Sequence, residues 1–153
     1  MVALRQAHED LIASLDELSF GALPVGEWDA YHVLTHVAAV DFSIASVALA
    51  VAAGQHPAYD NRTTLDPWHL GVLAERCATI SELLNLVHTS GVLLCMVAER
   101  ISSDHLDYPL PTLIVSCDKA VLDATVPLRA LIEGVGRAHL PLHEEQLRAL
   151  TSH

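Results

Sequence analysis

His36, His139 and His143 are the residues of this chain whose type and spacing can do chemistry. His36 closes the run Trp28-Asp-Ala-Tyr-His-Val-Leu-Thr-His36, and the other two lie in His139-Leu-Pro-Leu-His143-Glu-Glu-Gln146. An i, i+4 spacing sets two imidazoles on one face of a helix. A third imidazole from another helix completes a three-nitrogen metal site with open coordination positions, and an open position separates a catalytic site from a structural one.

The inward stripe expected around the pair reads Leu128, Ile132, Val135, His139, Leu142, Gln146. Two imidazoles and an amide on such a stripe cost free energy unless partners satisfy them. A metal ion is one such partner and a hydrogen-bond network is another. His32 lies one turn before His36 and gives that helix its own HxxxH. It reads as a solvated residue at the helix start, with a four-histidine site as the alternative. Pro141, between His139 and His143, lacks the N–H for one i→i−4 bond. It either kinks the last helix or begins it, and in the second case His139 falls in a loop. His8, His56, His69, His88, His105 and His153 show no supporting pattern and are read as surface or locally bonded residues, with His88 close to a core stripe. Ser102-Ser103-Asp104-His105 makes no hydrolase triad, because triad members meet in space rather than in sequence.

The elements that must position these residues follow from hydrophobic spacing. Leu4, Leu11, Leu15 and Leu18 predict a first helix over 2–19, ended by Phe20-Gly21 and a loop through Gly26. A second helix runs from Glu27 or Trp28 to Ala53, with Gly54 as its C′ residue. Residues 55–65 form a polar connection. Asp66 and Pro67 open a third helix, which carries a stripe from Leu73 to Ile101 with a bend at Ser90-Gly91. Residues 102–111 are a turn region. Leu113-Ile114-Val115 and Val121-Leu122 predict a short hairpin or extended excursion, and Thr125 with Pro127 opens a fourth helix. Its inward residues are expected to include Leu131, Leu142, Leu147 and Leu150. The sum is an all-α four-helix bundle in one domain over 1–153.

Composition narrows the function classes. The chain has 153 residues, 52% of them hydrophobic, and carries a formal charge of −11 from eight basic and nineteen acidic residues. Lys119 is the single lysine. With no basic stripe to neutralise phosphates, no nucleic acid is expected as a partner. An anionic membrane surface is disfavoured on the same ground. Val37 to Ala53 is the most membrane-like stretch, but Asp41, Ser43 and Ser46 interrupt it. It is read as a helix covered by the core or by a second subunit. Three widely spaced cysteines without CxxC fit reduced thiols rather than a disulfide framework. No secretory signal is read at the start, and the expected location is cytoplasmic.

Trp28-(x)7-His36 at the start of a second helix, together with the ending His139-(x)3-His143-(x)2-Gln146, resembles the DinB-like (DinB/YfiT) superfamily. That superfamily includes the bacillithiol S-transferases and the N-terminal domain of mycothiol-dependent maleylpyruvate isomerases. The resemblance spans nearly the whole chain. It implies up-down-down-up topology, a divalent metal on His36, His139 and His143, a low-molecular-weight thiol acting at that metal, and a homodimer. The chain departs from the pattern at Val25-Gly26-Glu27, where a Pro-Gly type turn usually precedes the Trp, and at Pro141. The second domain of the isomerases has no counterpart here.

The expected activity is therefore metal-dependent thiol S-transfer or isomerisation on a small electrophilic substrate. Zn²⁺ is the first choice of metal, with Ni²⁺ or Fe²⁺ as alternatives. Three neutral imidazoles leave a metal its full charge, which lowers the pKa of a bound thiol or water. Asp41, Glu144, Gln146 and His32 are candidates to orient the ligand rings. A dimeric metal- or ligand-binding stress-response module without turnover is the competing expectation, with helix 2 as the contact.

Overall fold

The computed structural model describes residues 2–15 and 28–150. The predicted end of the first helix and the loop through Gly26 lie outside them. α1 (Val2–Leu15) and α2 (Ala30–Ala52) are followed by a two-residue strand, β1 (Tyr59–Asp60), and a single 3₁₀ turn at Asn61–Thr64. α3 (Pro67–Ala74), α4 (Ile80–Arg100) and the one-turn α5 (Ser103–Leu106) lead into a hairpin, β2 (Pro109–Ser116) and β3 (Lys119–Pro127). The last helical segment is α6 (Leu128–Gly134), a π turn (Val135–His139) and α7 (Leu140–Ala149).

The architecture is mostly helical, with a small three-stranded mixed sheet inserted between helices. The sheet order is β1-β2-β3, with β1 parallel to β2 and β3 antiparallel. The hairpin is longer than the sequence suggested. Cys117 and Asp118, at φ 49° and 61°, supply the two left-handed residues that a tight two-residue hairpin turn requires. Strand β1 was not anticipated at all. It forms because Asn61 continues the pairing with its side chain, donating to the Val115 carbonyl at 3.0 Å and accepting from the Val115 N–H at 2.7 Å.

α2 is the centre of the core. Asp29 caps it by accepting from the His32 N–H, and Gly54, at φ 75°, ends it as expected. Every residue from Val33 to Asp41 is buried, so the chain's own helices cover this face, chiefly α4. By length and hydropathy both α2 and α4 reach the dimensions of a membrane span. In α2, 67% of the most apolar window is buried within the fold, as in the core helix of a soluble protein.

The long third helix predicted from Pro67 to Ile101 is two helices. Thr79 and Glu82 form a reciprocal capping box that starts α4 afresh at Ile80. α4 runs unbroken through Ser90-Gly91, where a bend was expected. Gly91 is there for space. A Cβ on it would stand 2.4 Å from Cδ2 of His8.

The segment from Leu128 to Ala149 resolves the question of Pro141. The flanking residues Gly134, Val135, His139 and Leu140 are all right-handed helical, so the segment is continuous. The Leu140 N–H reaches back five residues to the Val135 carbonyl, which inserts one extra residue into the helix. Pro141 then falls in the first turn of α7, where its missing N–H is tolerated. The insertion also moves the inward stripe by one position. From Val135 it continues to Leu140, His143 and Leu147, whereas Leu142, expected inside, is 61% exposed.

Candidate metal centre

Three separate pieces of the fold bring the imidazoles together. α2 carries His36 in its fully buried stretch, the last residue of the π turn is His139, and the first turns of α7 carry His143. One ring nitrogen from each lies within 4.8 Å of the others. His36 Nε2 and His139 Nε2 are 3.1 Å apart. Ring centroids are 5.1 Å apart for His36 with either partner and 4.5 Å for His139 with His143. In a tetrahedral zinc site with Zn–N near 2.0–2.1 Å, ligand nitrogens stand roughly 3.3 Å apart. One pair already matches that spacing, and every pair lies within 4.8 Å.

The outer nitrogens of two rings are held. His36 Nδ1–H donates to the Thr64 carbonyl at 2.7 Å, and His143 Nδ1–H donates to Gln146 Oε1 at 2.9 Å. Each bond fixes the tautomer and leaves Nε2 as a lone pair. Trp28 packs its edge against His36 with centroids 5.1 Å apart. Thr64 belongs to the segment read as a polar connection, and no sequence signal marked it. It reaches the site because Tyr59, Asn61 and Thr64 are buried as the chain passes over α2.

All three rings are neutral near pH 7. Burial, partly offset by the Thr64 hydrogen bond and reinforced by His143, holds the His36 imidazole down at about 4. Burial pushes His139 well down, with His143, His36 and His8 adding to the effect. Burial also lowers His143 against the opposing bond from Gln146. Neutral imidazole is the form in which histidine binds a cation. The cluster could hold a metal ion.

The other candidates fall in different places. Gln146 holds His143 directly. Exposed His32 is bonded to Asp29 at 2.7 Å as part of the α2 cap, outside the cluster. Glu144 pairs with Arg148 at 2.7 Å. Asp41, at 0% exposure, accepts on Oδ2 from His8 Nε2 and from Ser90 Oγ, both at 2.9 Å. His8 is thus no surface residue. Its ring is buried, its Nδ1–H donates to the Leu4 carbonyl, and its partner Asp41 lies 33 residues away in sequence. His88, by contrast, is exposed. Ser102 and His105 bond each other at the exposed start of α5 and touch no part of the cluster.

Comparison of the chain with protein-family models, with curated proteins and with solved structures found no match.

Proposed function

We propose that this chain is a divalent-metal protein of DinB-like type that uses a small thiol to carry out S-transfer or isomerisation. The observation that supports the reading is the convergence of His36, His139 and His143 with two outer nitrogens already tied to Thr64 and Gln146. A structural zinc site is closed by four protein ligands, whereas three imidazoles leave room for a further ligand. A divalent ion held there would act as a Lewis acid and lower the pKa of a thiol that reached it. The chain's own contribution is to keep the three rings neutral by burial, to fix two of them by hydrogen bonds, and to cover His36 with Trp28.

The test is metal content followed by turnover. Protein purified without added metal and then loaded with Zn²⁺ should bind one equivalent, and His139→Ala should lose it. Loaded protein should then transfer a low-molecular-weight thiol to an electrophilic acceptor. Unchanged metal content in His139→Ala overturns the site. Metal uptake without thiol transfer or isomerisation leaves a binding module in place of an enzyme.

A further inference from the structure

Two side-chain polar atoms are buried without a hydrogen-bond partner among the described residues, Asp41 Oδ1 and His139 Nδ1. Such atoms are rare in folded proteins, and each calls for an explanation. Here one explanation serves both, and it rests on the metal reading above.

The tautomers are fixed by the bonds already described. His36 carries its proton on Nδ1, because a carbonyl can only accept. Its Nε2 is therefore a bare lone pair, 3.1 Å from His139 Nε2. Two lone pairs would repel at that distance, so the proton of neutral His139 sits on Nε2 and is donated to His36. His139 Nδ1 is then a second bare lone pair, buried with nothing to accept from. A carboxylate oxygen could not help it, since both atoms are acceptors. A cation among the three Nε2 atoms reverses the arrangement. The proton of His139 must leave Nε2 and appear on Nδ1, where it needs an acceptor. Asp41 Oδ1 is the buried acceptor with no other donor.

α1 links Asp41 to the segment that carries His139. α1 packs along both the π turn and α7, which carry His139 and the residues after it. On α1, His8 is bonded to Asp41 at 2.9 Å, and its charge also acts on His139. Ser90 takes the other bond to Oδ2, so both donors hold one oxygen and leave the second to be used. Gly91 lacks a Cβ where the His8 ring lies against α4. A buried carboxylate held at 0% exposure is costly unless its oxygens are satisfied, and this arrangement satisfies both once a cation is bound.

We propose that Asp41 is a positioning residue for the metal centre: its Oδ1 accepts from His139 Nδ1–H, directly or through one bridging water, when a cation occupies the three Nε2 atoms. The result is a carboxylate–histidine–metal unit. It matches the carbonyl on His36 and the amide on His143, so that each ligand ring is held from behind. His8 and Ser90 act through Asp41 by fixing its rotamer.

The experiment uses Asp41→Asn, Zn²⁺ titration and imidazole ¹⁵N NMR of the full chain. In the orientation where its oxygen keeps the bond to His8, asparagine turns an N–H toward His139 Nδ1 and favours the metal-free tautomer. The expected result is a tenfold to hundredfold weaker Zn²⁺ affinity, with stability in a chelator no lower than wild type. In the NMR readout the tautomer reports ligation of His139, and the shift and exchange of its Nδ1–H report the acceptor behind it. In wild type the proton of His139 shifts from Nε2 to Nδ1 on Zn²⁺ loading, and the Nδ1–H is deshielded and slow to exchange. Wild-type affinity in Asp41→Asn, or a His139 Nδ1–H that is neither deshielded nor slow to exchange in loaded wild type, overturns the role of Asp41 alone. Wild-type protein that takes up no Zn²⁺ overturns the metal reading and this one with it. Should Asp41→Asn fail to fold, the chemical shift and exchange rate of the His139 Nδ1–H in loaded wild type decide, because an N–H that exchanges like a solvated imidazole has no carboxylate behind it.

Discussion

Acid should unfold the metal-free protein well before its surface carboxylates titrate, and His36 lets the size of the effect be worked out. Its folded-state pKa is about 4, against 6.5 in an unfolded chain. For a histidine with a depressed pKa, the unfolded chain takes up the proton first. Stability is then unaffected above pH 7 and falls as the pH drops through 6.5 toward 4. The full difference of 2.5 units corresponds to about 3.4 kcal/mol. Between pH 7 and pH 5 the loss from His36 alone is about 2 kcal/mol. His139 and His143 shift in the same direction and add to it. His8 offsets part of this loss. Burial lowers it, but the bond and charge of Asp41 outweigh burial, and its raised pKa gives stability that is complete below pH 6.5. Asp41, raised by burial, likewise opposes the three depressed histidines, since it accepts its proton in the fold before it does in the unfolded chain. Urea denaturation at pH 7, 6 and 5 with a chelator present measures the sum. The same series on His36→Gln isolates one ring, because the variant should lose about 2 kcal/mol less over that interval. Equal losses in the two proteins would refute the claim that burial keeps His36 neutral.

Other outcomes follow from particular contacts. Gln146→Ala should weaken Zn²⁺ binding about tenfold by freeing the His143 ring, with the chelated protein's denaturation midpoint nearly unchanged. Gly136→Ala should destabilise by about 1–3 kcal/mol, since its Cβ would lie 2.9 Å from the Leu4 Cα and push α1 away. Gly134→Ala, where nothing lies within 4 Å, should instead stabilise by about 0.5–1 kcal/mol. Paired urea melts of these two variants check both signs. Replacing Cys117-Asp118 by Asn-Gly should raise the melting temperature slightly, because both positions have positive φ and that pair prefers it.

The helices of this fold were legible in the sequence wherever a local signal marked them. Asp66 and Pro67, Gly54 and the leucine stripe of α1 all act at short range, and short-range rules found them. The three-histidine cluster was legible because two of its members share a helix face and the third lies on an apolar one. What stayed hidden depended on distant partners. Thr64 offers a backbone carbonyl, which has no sequence signature. His8 is identical in type to nine other histidines and is distinguished only by meeting Asp41 across 33 positions. Leu142 was placed inside because a helical period of 3.6 was carried across a stretch where one extra residue resets it. The capping box at Thr79 was readable, but the apolar spacing across 74–80 looked continuous enough to hide it.

That extra residue makes chain length a free variable at one point of the fold. Upstream of Val135 and downstream of Leu140 the helix presents its buried face to the same core, yet the two halves count from different origins. A deletion of Arg137 or Ala138 would let the segment close as ordinary α-helix and still leave Leu140, His143 and Leu147 facing inward. Pro141 forbids it, since in the tightened helix its ring would meet the carbonyl four positions back. The proline and the surplus residue are therefore a matched pair. Deleting Arg137 or Ala138 alone should disturb the histidines, whereas the same deletion combined with Pro141→Ala should return a regular helix with His139 and His143 still four residues apart.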